Sequence, residues 1–146
     1  MKLRTIGYER ATQAAVIECL RRAGVEVLVD VRAVASSRRA GFSKTLLAAS
    51  LAEAGIDYVH LRGLGTPKAG RQAVRDGHPE EMHRIYEAHL VEPRAQLELA
   101  AAADIVGERR AALLCYEADA ANCHRRIVAR RLAEAIRGLE IEDLTP

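Results

Sequence analysis

The sequence predicts an α/β fold: a single three-layer domain spanning residues 1–146, with a mostly parallel sheet of about five strands flanked by helices. Three observations carry that expectation. The segment VEVLVDV, Val25 to Val31, is β-branched and almost wholly apolar, as a strand covered on both faces requires. YVHL, Tyr58 to Leu61, and AALLCY, Ala111 to Tyr116, have the same character. Between these runs lie stretches with helix start and stop signals, so strands and helices alternate.

A first strand is expected near Leu3 to Ile6, followed by a helix from Thr12 to Ala23 that Gly24 terminates. After Val25 to Val31, a second helix from Lys44 to Ala54 has Ser43 as its potential cap and Gly55 as its stop. Gly63 to Pro79 holds four glycines and two prolines, which predicts a long loop with at most a short helical turn. Helices follow from about Glu80 to Val91 and from Pro93 to Ala103, the proline fitting a first helical position. The last helix, Cys123 to Arg137, places Val128, Leu132 and Ile136 on one face, with Asn122 as its cap. Leu139 to Leu144 supplies the last strand.

Composition narrows the class. Hydrophobic residues make up 49% of the chain and charged residues 29%, with no apolar run long enough for a membrane span. MKLRTIGYER lacks the apolar stretch of a signal peptide, so the cytoplasm is the expected compartment and no membrane partner is expected. The odd count of three cysteines, Cys19, Cys115 and Cys123, argues for reduced thiols over a disulfide framework. Cys19 falls in a helical core pattern and reads as packing.

The net charge is only +2, but twelve of the 22 basic residues fall in three windows without Asp or Glu: Val31 to Ala52, Tyr58 to Arg75 and Ala120 to Ala133. If those windows meet in space, one face is strongly positive and attracts phosphates or other anions. Parallel strands joined by helical crossovers share one carboxyl edge, where open α/β sheets bind ligands. DVRAVASSRRAGFSK, HLRGLGTPK and CYEADAANCHRR each follow a strand and so converge on that edge.

Asp30 lies inside an apolar strand and needs hydrogen bonds or a cationic partner there, either tying down the next loop with Arg32 or acting as a base. Arg32, Arg38 and Arg39 can form a guanidinium fork for an oxyanion. LLCYEADAANCHRR, residues 113 to 126, admits three chemistries. The start of the last helix, with His124, Arg125 and Arg126, suits an anion. Cys123 at that start suits a low-pKa nucleophile or redox thiol. Cys115, Cys123 and His124 as metal ligands lack the usual short Cys pair and need a distant fourth ligand, so no metal is assigned. Glu117 at the strand end is a candidate general acid or base. Tyr8, after the first strand, reaches for the same edge.

TIGYE, LLVDVRAVASSRRAGFSK, YVHLRGLG and LLCYEADAANCHR, in this order and spacing, resemble the domain of unknown function 488 family over almost the whole chain. The motifs are similar to T-I-G-[HY], D-V-R-x-x-P-x-S-R, F-x-K, L-x-x-L-G and C-x-E-x5-C-H-R. The resemblance points to Thr5, Gly7, Asp30, Arg32, Ser37, Arg38, Phe42, Lys44, Leu64, Gly65, Cys115, Glu117, Cys123, His124 and Arg125. Two positions depart from it: Tyr8 stands where many relatives have histidine, and Ala35 replaces the family proline. LVDVR also resembles rhodanese-like domains, but Cys115 lies too far from Arg125 for the short cysteine-to-arginine loop of that chemistry.

Together these features suggest an enzyme that binds an anionic small molecule, phosphate-bearing and nucleotide-like, at the strand edge. Arg32, Arg38, Lys44 and Arg125 would hold the anion, Asp30 or Glu117 would handle protons, and Cys123 would be the nucleophile. Thr5, Gly7, Tyr8, Ser37 and His124 complete the expected binding set. An alternative is a nucleic-acid-binding accessory protein in DNA repair or modification, although one Phe and four Tyr offer little for base stacking. A metal or thiol sensor is the third reading. The sequence specifies neither a cofactor, a reaction nor an oligomeric state.

Overall fold

A computed structural model describes the backbone of residues 1–146 and every side chain except that of Asn122. Five strands, β1 (Lys2–Gly7), β2 (Val27–Asp30), β3 (Asp57–His60), β4 (Ala111–Cys115) and β5 (Glu140–Leu144), form one sheet in the order β3-β2-β4-β1-β5. Every pairing is parallel. The helices are α1 (Gln13–Arg22), α2 (Lys44–Glu53), α3 (Lys68–Arg75), α4 (Pro79–Leu90), α5 (Pro93–Glu108) and α6 (Arg125–Ala135).

The period-2 alternation of strand side chains sorts the core into two layers. Leu28, Ala112 and Leu114 pack with Val16 and Leu20 of α1 and Leu47 and Leu51 of α2. Val27, Val29, Leu113 and Cys115 face the other way, against Met82, Tyr86, Ala102, Val106, Val128 and Leu132 of α4, α5 and α6. Strands β2 and β4 are wholly buried, which is why their sequences are continuous apolar runs. The edge strand β5 carries Glu140, Glu142 and Asp143, charges that discourage pairing with another chain.

Local signals explain most boundaries. The Thr12 hydroxyl caps α1 by accepting from the Ala15 N–H at 3.1 Å, and Gly24, with φ of 70°, ends the turn that follows. Ser43 occupies the position before α2, yet its Oγ accepts instead from the Ser37 N–H at 3.1 Å and so organises the preceding loop. The loop expected over Gly63 to Pro79 contains an eight-residue helix, α3, because Lys68 to Arg75 follows Pro67 and packs Ala73 inward. Helix α6 begins at Arg125 rather than at Cys123, with His124 in the capping position. The side chain of Asn122, the expected cap, lies outside the described residues. No helix among the described residues is long and apolar enough to cross a membrane.

Chain order reverses between β1 and β4. From β1 the chain runs through α1, on one face, to β2, whereas from β4 it runs through α6, on the other face, to β5. This divergence leaves a crevice at the carboxyl ends of the two central strands, where Gly7 is registered opposite Cys115.

Beside that crevice, Asp30 and Arg32 form a buried ion pair, Nη2 to Oδ2 at 2.7 Å and Nε to Oδ1 at 2.9 Å. Asp30 also accepts from the Arg32 backbone N–H and the Tyr58 hydroxyl. Asp30→Ala is expected to destabilise the protein by about 3–5 kcal/mol, because it leaves a guanidinium buried without its anion. Urea denaturation checks this, and a double variant Asp30→Leu/Arg32→Met should lose clearly less than the two single changes added together.

Candidate functional site

The crevice holds a cavity of about 440 Å³ lined by residues from the ends of β1, β2 and β4 and from the segment after β3. Tyr8, Arg32, Cys115 and Glu117 come from the strand ends, His124 from the start of α6, and Arg71, Val74 and Arg75 from α3. The sequence supplies this convergence through parallelism alone: each strand delivers its following loop to the same edge.

The best-defined chemistry surrounds His124. Its Nε2 lies 2.7 Å from the carbonyl oxygen of Val31, which can only accept, so Nε2 carries the proton. Nδ1 is thereby turned toward two sulfurs, Cys115 Sγ at 3.6 Å and Cys123 Sγ at 3.7 Å. The imidazole and the Tyr86 ring meet edge to face at 5.2 Å between centroids, and the Tyr86 hydroxyl donates to the Leu64 carbonyl at 2.6 Å. The end of β2 and helix α4 therefore hold the ring in place. Glu117 Oε2 lies 3.6 Å from Cys115 Sγ.

Electrostatics differ sharply across this group. Burial opposes ionisation of Cys123, but the hydrogen bond from Cys115 and the charge of His124 and Arg125 outweigh it and hold this thiol well below its ordinary range. Its partner Cys115 is held well above that range by its hydrogen bond to Cys123 and by burial, so the pair loses one proton far more readily than two. Burial lowers the basicity of His124, yet the adjacent Cys123 thiolate reverses the balance and raises it. Glu117 is pushed up to about 7, chiefly by burial and then by the negative charge of Cys123.

Arg125 is fully buried and holds the loop that carries Glu117. Its guanidinium donates to the Thr5 hydroxyl at 3.2 Å and to the carbonyls of Glu117 and Ala118. Thr5 in turn donates to Asp143. Gly7 has a steric role, since a Cβ there would lie 1.8 Å from the Glu117 carbonyl oxygen. Gly65 does the same for the neighbouring loop, where a Cβ would lie 2.2 Å from the Ala33 backbone.

The other expected residues divide by location. Asp30 is wholly buried against Arg32, whose remaining Nη1 donates to the Tyr8 hydroxyl and the Phe42 carbonyl. Tyr8 stacks on Phe42 with ring centroids 4.3 Å apart. Ser37 is engaged with Ser43 and accepts from the Arg39 N–H. Arg38 is exposed and lies outside the cavity lining, and Lys44 borders a separate shallow hollow with His60 and Arg62. Cys123 is buried behind Cys115, which is the thiol that reaches the cavity.

The three basic windows do not act together. The first two contribute Arg32, Arg71 and Arg75 to one cavity and Lys44 and Arg62 to the hollow beside it. The third is largely neutralised: Arg125 is inside, while Arg126 and Arg131 pair with Asp143 and Glu87. Arg71 and Arg75 were not singled out as site residues by the sequence, although their four-residue spacing puts both on one helical face. The Val31 carbonyl left no trace in the sequence, because a backbone oxygen has no residue type.

Gly7→Ala is expected to lower stability by on the order of 1–3 kcal/mol, because the new methyl displaces the Glu117 backbone. Gly107→Ala, which meets nothing within 4 Å in α5, should instead be neutral or stabilising. Urea midpoints of the two variants against the parent protein measure the contrast.

No curated protein and no solved structure matches the chain. The model of one family does match, and it spans residues 12–132, covering β2, β3, β4 and the DVR and CHR segments that build the cavity. The chain belongs to the family described as Domain of unknown function DUF488.

Proposed function

We propose that the chain is an enzyme that takes an anionic small molecule, phosphate-bearing and nucleotide-like, into the cavity at the carboxyl ends of β1, β2 and β4. One observation carries this reading: two arginines of α3 line the same cavity as a thiol, a carboxylate and an imidazole. A volume of about 440 Å³ falls within the ordinary range for small-molecule sites.

The residues that hold the anion in this reading differ from those the sequence suggests. Arg32 and Arg125 donate to protein oxygens and serve as struts. Arg71 commits an Nη1–H to the Thr66 carbonyl at 2.8 Å and retains further donors, since a guanidinium carries five. Arg75 is exposed at the rim, where it can meet an incoming phosphate. Cys115, Glu117 and His124 then face the reacting end of the bound molecule. Glu117 takes the proton-transfer role and the Cys115–Cys123 pair, which gives up one proton readily, supplies the thiolate, with Asp30 holding Arg32.

Isothermal titration with adenosine monophosphate, ribose 5-phosphate and inorganic phosphate tests the reading. Binding of at least one of them is expected, and Arg71→Ala/Arg75→Ala should weaken it roughly 10-fold or more, the loss typical of hydrogen bonds to charged groups. Unchanged affinity in the double variant would remove the reading. Salt-sensitive binding of duplex DNA that is indifferent to both arginines would favour a nucleic-acid accessory role instead.

A further inference from the structure

We propose that Cys115, Cys123 and His124 form a binding site for one Zn²⁺ ion, with the fourth coordination position facing the cavity. The candidate ligand atoms of the three residues all lie within 4.8 Å of one another and are buried. Tetrahedral zinc, with bonds of about 2.3 Å to sulfur and about 2.0–2.1 Å to nitrogen, sets sulfur and nitrogen about 3.6 Å apart. The observed separations are 3.6 Å for Cys115 and 3.7 Å for Cys123, the edge lengths of such a tetrahedron.

Two independent features favour an ion over hydrogen bonding alone. First, both sulfurs converge on the single lone pair of one nitrogen, and although Cys115 also has Glu117 Oε2 and Cys123 as hydrogen-bond partners, no one proton can join all three ligand atoms. A cation satisfies both sulfurs and the nitrogen together. Second, the Nε2–H of His124 is fixed on the Val31 carbonyl at 2.7 Å, the outer contact that orients a metal-bound histidine and sets its tautomer. The ring cannot turn away without breaking that bond and leaving the Tyr86 ring.

Two thiolates and one Zn²⁺ sum to zero charge, which a buried site tolerates better than an isolated ion. Soft sulfur ligands with imidazole select zinc over the harder Mg²⁺ or Ca²⁺. Cys115 and His124 both line the cavity, whereas Cys123 lies deeper, so the three ligands close the inner side of the ion and leave its outer side toward the cavity. Three protein ligands with one open position is the pattern of reactive rather than structural zinc. Two cysteines and a histidine supplied by a strand end and a helix start also explain the missing short Cys pair, because the fold brings Cys115 next to Cys123. The ion does not rest on the anion reading, but with it bound Cys115 and Cys123 serve as ligands and only the occupant of the fourth position rests on that reading.

The test is uptake of Co²⁺ by the full chain, reduced and stripped of metal. One equivalent should bind per chain with a thiolate-to-cobalt charge-transfer band and the visible bands of a four-coordinate ion, and Zn²⁺ should displace it. Cys123→Ser and His124→Ala should lose these bands while Cys19→Ser keeps them. Should either ligand variant fail to fold, X-ray absorption of the Zn²⁺-loaded parent protein decides, with two sulfur neighbours at about 2.3 Å expected. A reduced parent protein that takes up no Co²⁺, or a zinc shell without sulfur, overturns the proposal. Arg71→Ala/Arg75→Ala should retain the ion whatever its effect on phosphate binding, so the two readings fail separately.

Discussion

The buried pair of Asp30 and Arg32 is the contact on which the site depends. An aspartate with no exposure at a strand end is tolerable only because Arg32, its own backbone N–H and Tyr58 meet the carboxylate from three sides. The same guanidinium reaches Tyr8 after β1 and the Phe42 carbonyl before α2, so it joins two loops to the end of β2. Val31 lies between the two charged residues. Its carbonyl receives the His124 N–H, so the geometry of the imidazole is set by a residue whose position the ion pair fixes.

A second set of contacts works from the other side of the crevice. Arg125 clasps the carbonyls of residues 117 and 118 and leans on Thr5, while Gly7 leaves space for the Glu117 backbone to pass. Thus β1 supplies a small residue, β4 supplies the thiol and carboxylate, and α6 supplies the clamp. Burying a guanidinium on neutral oxygens is costly, and its field is felt by Cys123, which it helps to ionise. Structural strength and thiol reactivity therefore come from the same side chain.

Much of the fold was legible because it follows from hydrophobic patterning. VLVD and AALLC read as covered strands, and Gly24 and Gly55 marked the ends of α1 and α2 where the chain needs positive φ. The segment after β3 was less legible. Its glycines and prolines signalled a loop, yet Pro67 also starts a helix, and the packing of Ala73 and Gly70 under α4 decides the outcome. At the site, residue types and their places at a strand end and a helix start located Cys115, Glu117 and His124, but charge counting could not separate cations facing the cavity from cations bracing a loop. Arg32 and Arg125 were conspicuous in sequence because they stand beside the other polar groups, and that adjacency is what lets them bond to protein atoms.

The division of labour among arginines follows from distance to the central strands. A guanidinium two residues past a buried strand end, as in Arg32, or at the inward-facing start of α6, as in Arg125, is drawn into the protein, where neutral carbonyls and a single carboxylate consume its donors. One carried on a short outer helix keeps donors for the cavity, as Arg71 and Arg75 do. The inner arginines thus set the shape and potential of the floor, where Cys115, Cys123 and His124 meet, and the outer ones set the charge of the entrance. Removing an outer arginine would leave that floor intact, whereas removing an inner one would collapse the loops that create it.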